Sequence, residues 1–464
     1  MTRTSAGERH AHTRRAASTS TLVVVALGVV ACVIAWLSVV GSDALWLSAL
    51  GDTIRADRQI PAGVPFAAAP SQGWVNTTAL GQVLFSFIHV AGSLGVVAAQ
   101  VVVVVWTLWI LVSSARRRGA HVIGLVSVLL LVLVGGAAPL LIARAQLLSL
   151  VPYAALVVLL RLEHDRPSRL IWATVPLIAL WGNLHGAVLV GVAVLGCYLA
   201  FSRLRFDPWT AVGVGLASLA ASCLNPGLLQ APHYYLGVFG GAATNDDSGM
   251  WSRLSLSNPF DLMLLVAATC LGYMTFRHRR PLWEYAASLG FAGATLVAAR
   301  HGIWLLLFLA VPAALALMTR HRRPEEAPTR RANLAPAAAC VAGMMVVAGL
   351  LAARAPTFHA ADAEASQLAA ATRGGVVLVS EPLAESMAAA GALVWVSNPL
   401  DAFDHADQTA YLAFMDGDAT GGTRGFARAD VVVAPPASPQ ARAAVANGFT
   451  ARQLVGAYVL LRRN

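Results

Sequence analysis

Apolar stretches of roughly 11 to 20 residues recur between residues 22 and 351 of this chain, each broken by a short polar turn. They run Leu22–Val40, Leu94–Val112, Val122–Leu141, Leu147–Leu160, Leu170–Leu180, Ala187–Phe201, Trp209–Leu224, Leu262–Phe276, Trp283–Ala299, Trp304–Met318 and Leu334–Leu351. This recurrence constrains the fold more than any other feature. In hydrocarbon a backbone must satisfy its own polar groups, and a helix does so within one segment. Only 12% of the 464 residues are charged, against about a quarter in a soluble domain. The expected architecture is mainly α: a polytopic membrane protein of about eleven transmembrane helices, with a small C-terminal α/β domain.

Basic residues orient such a chain, and all of them here are arginine. Twenty of the 33 fall in alternate segments: residues 3–15, 116–118, 161–169, 203–205, 277–280 and 320–331. Five, Arg55, Arg58, Arg144, Arg253 and Arg300, fall in the intervening turns, and eight in the C-terminal tail. A four-to-one bias across short loops places the N-terminus in the cytoplasm and the C-terminal domain outside it. The formal charge of +10 therefore reports topology, and no nucleic-acid partner is expected. The basic residues 1–20 ahead of Leu22–Val40 have the outline of a secretory signal. The run is long enough to span and no Ala-x-Ala follows, so it reads as a retained first span. The implied division is a cytoplasmic tail (1–20), a transmembrane domain (21–353) and an extracytoplasmic domain (354–464).

Residues 41–78 form the longest polar loop on the arginine-poor side. Its first part has helical spacing, with Trp46/Leu47, Leu50 and Ile54 on one stripe. Asp43 lies on that stripe, whereas Asp52, nine residues on, points about 180° away. Asp43 is thus aimed at the packing face and Asp52 at water. A helix-capping role for Asp43 is the plain alternative. Leu80, Val83, Leu84, Phe87 and Ile88 then form an amphipathic stripe suited to the membrane interface.

The other turns on this side carry Arg144, Asn183, His185, Asn225, Arg300 and His301. The Leu170–Phe201 arms are short for spans, so Asn183 and His185, like Arg144, should sit recessed, where irregular backbone must be buried or line a wet cavity. Singly, each residue has an ordinary explanation. Trp74, Trp181 and Trp251 suit interface anchors, and Asn183 or Asn225-Pro226 suits a helix end. Together they mark one face as a site, since polar groups at membrane depth usually face a cavity or a partner. Cys32, Cys197, Cys223, Cys270 and Cys340 have no ligand or disulfide spacing and read as small buried residues. After Arg354 the composition becomes soluble. Strands are expected at Val376–Ser380, Leu393–Ser397, Asp430–Ala434 and Tyr458–Leu461, and helices at Leu383–Ala390, Gln408–Met415 and Gln440–Ala446. No glycine fingerprint follows a strand, so no nucleotide site is expected.

Several of these residues fall into a family pattern. The loop reads Asp43-x-x-Trp46, Gly51, Ile60-Pro61, Pro65 and Trp74-Val75-Asn76. It is followed by Arg144-Ala145-Gln146, Trp181-x-Asn183-x-His185-Gly186, Asn225-Pro226-Gly227 and Arg300 before the next span. Over nearly its whole length the chain resembles bacterial multi-spanning GT-C-type proteins, similar to the polyprenyl-phosphate-sugar-dependent glycosyltransferases. Members often have Trp-Trp-His where this chain has Leu45-Trp46-Leu47, and Glu-Trp where it has Met250-Trp251.

The resemblance implies a multi-pass protein of the bacterial cytoplasmic membrane that moves a sugar from a polyprenyl-phosphate-linked donor to an acceptor at the outer face. Its partners would be the lipid-linked donor and membrane lipids. Asp43 would be the catalytic base, with Arg55, Trp74, Asn76, Arg144, Asn183, His185, Asn225, Arg300 and His301 binding substrate. No cofactor is expected, a divalent metal being the open alternative. The competing reading is a non-catalytic protein that binds or helps export a lipid-linked glycan. A secondary transporter ranks last, because its inverted repeats and midplane polar groups are not evident.

Overall fold

The computed structural model describes residues 6–238, 252–317 and 334–463. In chain order the helices of the membrane portion are α1 (Ala6–Leu37), α2 (Ser42–Asp57), α3 (Ala79–Ile88), α4 (Gly92–Arg117), α5 (Val122–Gly135), α6 (Ala137–Leu141), α7 (Leu147–Asp165), α8 (Thr174–Leu184), α9 (Val188–Phe201), α10 (Pro208–Ser222), α11 (Ala231–Val238), α12 (Pro259–Phe276), α13 (Leu282–Val297), α14 (Gly302–Ala314) and α15 (Leu334–Ala371). Among the described residues each apolar stretch of the sequence is mainly helical, the first ending in a short strand at Val39–Val40. Among the described residues six helical segments are long and apolar enough to cross a membrane: those of α1, α3–α4, α7, α9, α12 and α15. Helices α5, α8 with the turn before it, and α14 are apolar but shorter.

The burial of each helix follows its sequence. α14 is apolar on every face and buried from Gly302 to Ala314, as a helix without a polar side must be in a bundle centre. α15 is equally apolar over its first half but stands at the edge, packed along α1, where Gly343 faces Gly28. The composition change at Arg354 does not end this helix. Arg354 instead donates to the carbonyls of Ser38 (2.7 Å) and Ala35 (3.2 Å), satisfying the orphan acceptors where α1 stops. Two turns further on, Asp362 accepts the Ser93 N–H (3.1 Å) at the start of α4. At the opposite end of the bundle Arg161 of α7 pairs with Glu284 of α13 at 2.7 Å, both almost fully buried.

Residues 376–463 form a five-stranded sheet of order β4-β3-β5-β7-β6, from β3 (Val376–Val379), β4 (Leu393–Val394), β5 (Val431–Ala434), β6 (Phe449–Val455) and β7 (Tyr458–Arg463). β3, β4 and β5 run parallel. They are uninterrupted apolar runs because helices cover both faces, among them α16 (Leu383–Ala389), α17 (His405–Met415), α18 (Thr423–Arg428) and α19 (Pro439–Ala446). β6, absent from the sequence reading, is an edge strand exposed along most of its length, so it lacks an apolar signature. The loop after α2 extends this sheet at its other edge: Ala67 bridges Val394, and Ala68 and Ala69 donate to Val394 (2.8 Å) and Trp395 (2.9 Å). Helix α16 also packs on α2.

Two expectations need correction. None of the five cysteines is buried: Cys270 and Cys340 are exposed and the others intermediate, Cys197 packing only partly against the core and Cys223 lying at the end of α10. Trp181 is not an interface anchor but one of the most buried side chains, lying edge-on to Tyr153. Trp251 lies outside the described residues.

Candidate active site

The site begins with a two-residue parallel pairing that sequence periodicity does not reveal. β1 (Val39–Val40), following α1, pairs with β2 (Ile142–Ala143): Val39 opposite Ile142 and Val40 opposite Ala143. The Gly41 N–H then donates to Ala143 at 2.9 Å. A Cβ at position 41 would lie 2.9 Å from Ile142 Cγ2 and 3.4 Å from Arg144 Cβ, so a side chain there would press on Ile142 and glycine eases the close approach of the two segments. The pairing brings the start of α2, with Asp43, beside Arg144.

Asp43 does not cap α2. The cap position is Gly41, and the carboxylate lies in the first turn, where the helix dipole favours it. There it accepts the Trp46 Nε1–H at 3.4 Å. Asp43 lies within electrostatic range of both Arg144 and Arg300, which repel one another, and His185 is within range of both guanidiniums. His301 lies within range of Arg300. Arg144, His185, Arg300 and His301 are crowded by protein yet keep partial solvent access.

His185 is held by a directed chain. Trp181 Nε1–H donates to Ser149 Oγ (2.7 Å), and Ser149 Oγ lies 2.8 Å from His185 Nδ1, which also receives the Ala187 N–H (3.3 Å). The donors assign Nδ1 as acceptor and put the ring proton on Nε2. The depth of this turn relative to Asp43 is set by two backbone contacts. A Cβ on Gly51 of α2 would fall 2.0 Å from the Gln82 carbonyl oxygen, and one on Gly81 of α3 would fall 2.2 Å from that of Leu184. Helix α3 is thereby clasped between the Asp43 helix and the His185 turn.

A second carboxylate enters from the C-terminal domain. Asp401 Oδ2 accepts from Tyr234 OH (2.7 Å) and Trp74 Nε1 (3.1 Å). The Trp74 ring lies edge-on to Trp46, 6.3 Å between centroids at 74°. Asp401 is surrounded by protein, and lost hydration raises its carboxyl while the bonds from Tyr234 and Trp74 lower it. The residue itself remains solvent-exposed.

The remaining candidates hold the frame. Asn76 and Gln82 exchange two 2.8 Å bonds, fixing the Trp74 segment to α3. Asn225 makes a local turn, accepting the Gly227 N–H (2.9 Å), and that turn packs on Val75 and Thr77. Asn183 joins two helix ends by donating to Ala179 (2.8 Å) and Leu224 (2.6 Å). Arg55 is turned elsewhere, onto Ser86 Oγ (2.7 Å) and the Phe87 ring (4.2 Å). Twelve residues separate it from Asp43, about 18 Å along the helix. Asp52 is largely exposed and bonds Ser86.

No family model and no curated protein matches this chain. Among solved structures it is similar to the crystal structure of ArnT from Cupriavidus metallidurans bound to undecaprenyl phosphate. Identity is 13%, over 94% of this chain and 97% of that one, with a TM-score of 0.49.

Three residues of the cleft carry no sequence signal. Ser149 lies inside an apolar run, Tyr234 in the polar segment after α10, and Asp401 more than 300 residues from Trp74. The chain's Asp-x-Asp, Asp416-Gly417-Asp418, lies in a turn of the C-terminal domain, where Asp418 accepts the Thr420 N–H (2.8 Å). Among the described residues no group of three or more His, Cys, Asp or Glu is placed to hold a metal ion.

Proposed function

We propose that this chain is a membrane glycosyltransferase. It moves a sugar from a polyprenyl-phosphate-linked donor to an acceptor at the outer face of the cytoplasmic membrane. The observation that carries the reading is the β1–β2 pairing, which sets a carboxylate, Asp43, beside Arg144 with Arg300 in range of both. Transfer needs a base for the acceptor hydroxyl and cations for the departing phosphate, held apart from bulk water. Asp43 takes the acceptor proton as the acceptor oxygen attacks the anomeric carbon from the side opposite the phosphate, which inverts the centre. The Arg144 and Arg300 guanidiniums receive the charge that collects on the phosphate oxygens, as planar donors suited to them. His185 supplies its Nε2–H to the same anion. The arginine asymmetry of the loops supports placing the C-terminal domain and this cleft outside the cytoplasm.

The test uses purified protein, polyprenyl-phosphate sugars, and separate measurements of donor binding and turnover. Asp43→Asn should retain donor binding and lose turnover by a factor of about 10²–10⁴, the span of general-base effects. Arg144→Ala should weaken donor binding by roughly 10- to 100-fold, the loss of a charge-assisted contact. Parent-like binding by Arg144→Ala refutes the phosphate site. A parent that binds donor and turns nothing over supports the non-catalytic glycan-binding reading instead.

A further inference from the structure

Two sets of groups meet at Asp43. One is the pair Arg144 and Arg300, with His185 in their range; the other is a run of contacts in which Trp46 donates to Asp43 and lies edge-on to Trp74, which with Tyr234 donates to Asp401. We propose that Asp401, Trp74 and Tyr234 form the acceptor subsite, and that the acceptor is a neutral or amino sugar rather than an anionic one. This rests on the transfer reading above and extends it to the second substrate.

The geometry of Asp401 distinguishes a subsite from a plain clamp between domains. A clamp would bury the carboxylate and engage both oxygens. Here Tyr234 and Trp74 converge on Oδ2 alone, from two different segments of the membrane portion, and the residue stays exposed. Oδ2 is thereby fixed, and among the described residues no other side chain donates to the carboxylate, so Oδ1 can accept a hydroxyl or ammonium hydrogen. Trp74 and Tyr234 supply flat apolar surface beside it, the pairing of ring face and carboxylate that suits the C–H face and hydroxyl rim of a sugar. Trp46, which donates to Asp43, lies edge-on to Trp74, which donates to Asp401, with 6.3 Å between ring centroids, so the two carboxylates share one wall of aromatic rings that a single sugar would lie along. Its reacting hydroxyl then meets Asp43 and a second hydroxyl or amine meets Asp401. In the step itself the acceptor O–H proton passes to Asp43 and the acceptor oxygen bonds to the anomeric carbon. The bond from that carbon to the phosphate oxygen breaks, and its electron pair stays with the phosphate. A carboxylate or phosphate on the acceptor would face Asp401 and Asp43 together and be repelled. The C-terminal domain, through this one side chain, would then choose what receives the sugar.

The experiment uses the full chain in lipid nanodiscs with a labelled polyprenyl-phosphate hexose. Three acceptor probes are compared: hexyl β-glucoside, its 2-amino analogue and hexyl β-glucuronide. The first two should accept label, with the glucuronide at least about tenfold lower in kcat/KM, the loss of one charge-assisted contact. Asp401→Asn keeps the side-chain shape. It should raise the acceptor KM about tenfold with the donor Kd and melting temperature unchanged, and narrow the gap to the glucuronide. An unchanged acceptor KM, or a glucuronide as good as the glucoside, overturns the proposal. So does label passing only to water in the presence of all three probes, which would leave the donor side of the reading intact. A parent that fails to bind the donor defeats the transfer reading itself.

Discussion

Gly51→Ala is the sharpest perturbation of the site, because it adds one methyl group well away from the chemistry. A Cβ there would sit 2.0 Å from the Gln82 carbonyl oxygen and 2.5 Å from its carbon. A carbon-to-oxygen contact normally closes no nearer than about 3.3 Å, so α2 and α3 must part by more than about 1 Å. The obstacle is backbone inside a helix and cannot swing aside. Overpacking of this kind costs about 1–3 kcal/mol. Asp43 lies two turns away on the same helix and has to move with it, away from Arg144. A displacement near 1 Å at a reacting group can cost about 10²-fold in rate. Gly196→Ala is the control, since nothing lies within 4 Å of a Cβ at that position. Purified variants are compared for melting temperature and for label transfer from the polyprenyl-phosphate donor. The control should match the parent in both, and Gly51→Ala should lose transfer far beyond its loss of stability. A Gly51→Ala protein with parent turnover would refute the claim that this helix contact sets the position of Asp43.

Other predictions concern stability. Glu284→Ala leaves the Arg161 guanidinium buried without its carboxylate and should destabilise by about 3–5 kcal/mol, while Arg161→Met with Glu284→Leu should recover most of the loss. Melting in detergent checks this, and a double variant no better than the single one would count against it. Glu385 is fully buried, taking two N–H bonds from Asn398 (3.0 and 3.1 Å); burial, reinforced by the charge of Glu381, raises its carboxyl to about 7. Its folded value lies above its unfolded one, so the stability it contributes is greatest in acid and is lost as pH rises toward about 7. Melting temperature should fall from pH 5 to 8 in the parent and fall less in Glu385→Gln; equal slopes would rule Glu385 out as the source. Gly41→Val should wedge apart the β1–β2 pairing and reduce both donor binding and turnover, whereas a variant with unaltered donor affinity would show that the pairing does not organise the site.

The helical architecture was legible because lipid removes the alternatives. An apolar stretch bounded by polar turns has little choice but a helix, and most stretches became one, Val122–Leu141 dividing into α5 and α6. The small domain was legible in its buried strands, where Val376–Val379 and Val431–Ala434 are continuous β-branched or aliphatic runs. Its exposed edge strand β6 and the six-residue helix α18 had neither run nor period and went unread. Asp43 was separable from Asp52 by helical phase alone, which survives because α2 is regular. Arg55 shows the limit of grouping residues by loop: it shares a segment with Asp43, yet the rise of the helix carries it out of reach.

The sequence by itself thus determined local matters: which segments are helices, which side of the bundle collects polar groups, and which face of α2 carries Asp43. Each follows from periodicity or composition, which act over a few residues. Tertiary structure decided who meets whom. Arg144 comes to Asp43 through a two-residue strand pairing that spans about a hundred positions, and Ser149 orients His185 from a neighbouring helix. Asp401 reaches Trp74 from a separate domain, docked through α16 and the Ala67 edge. Such contacts join residues of unrelated local pattern, and they form only when close backbone approaches, such as that at Gly51, bring the helices to their final spacing.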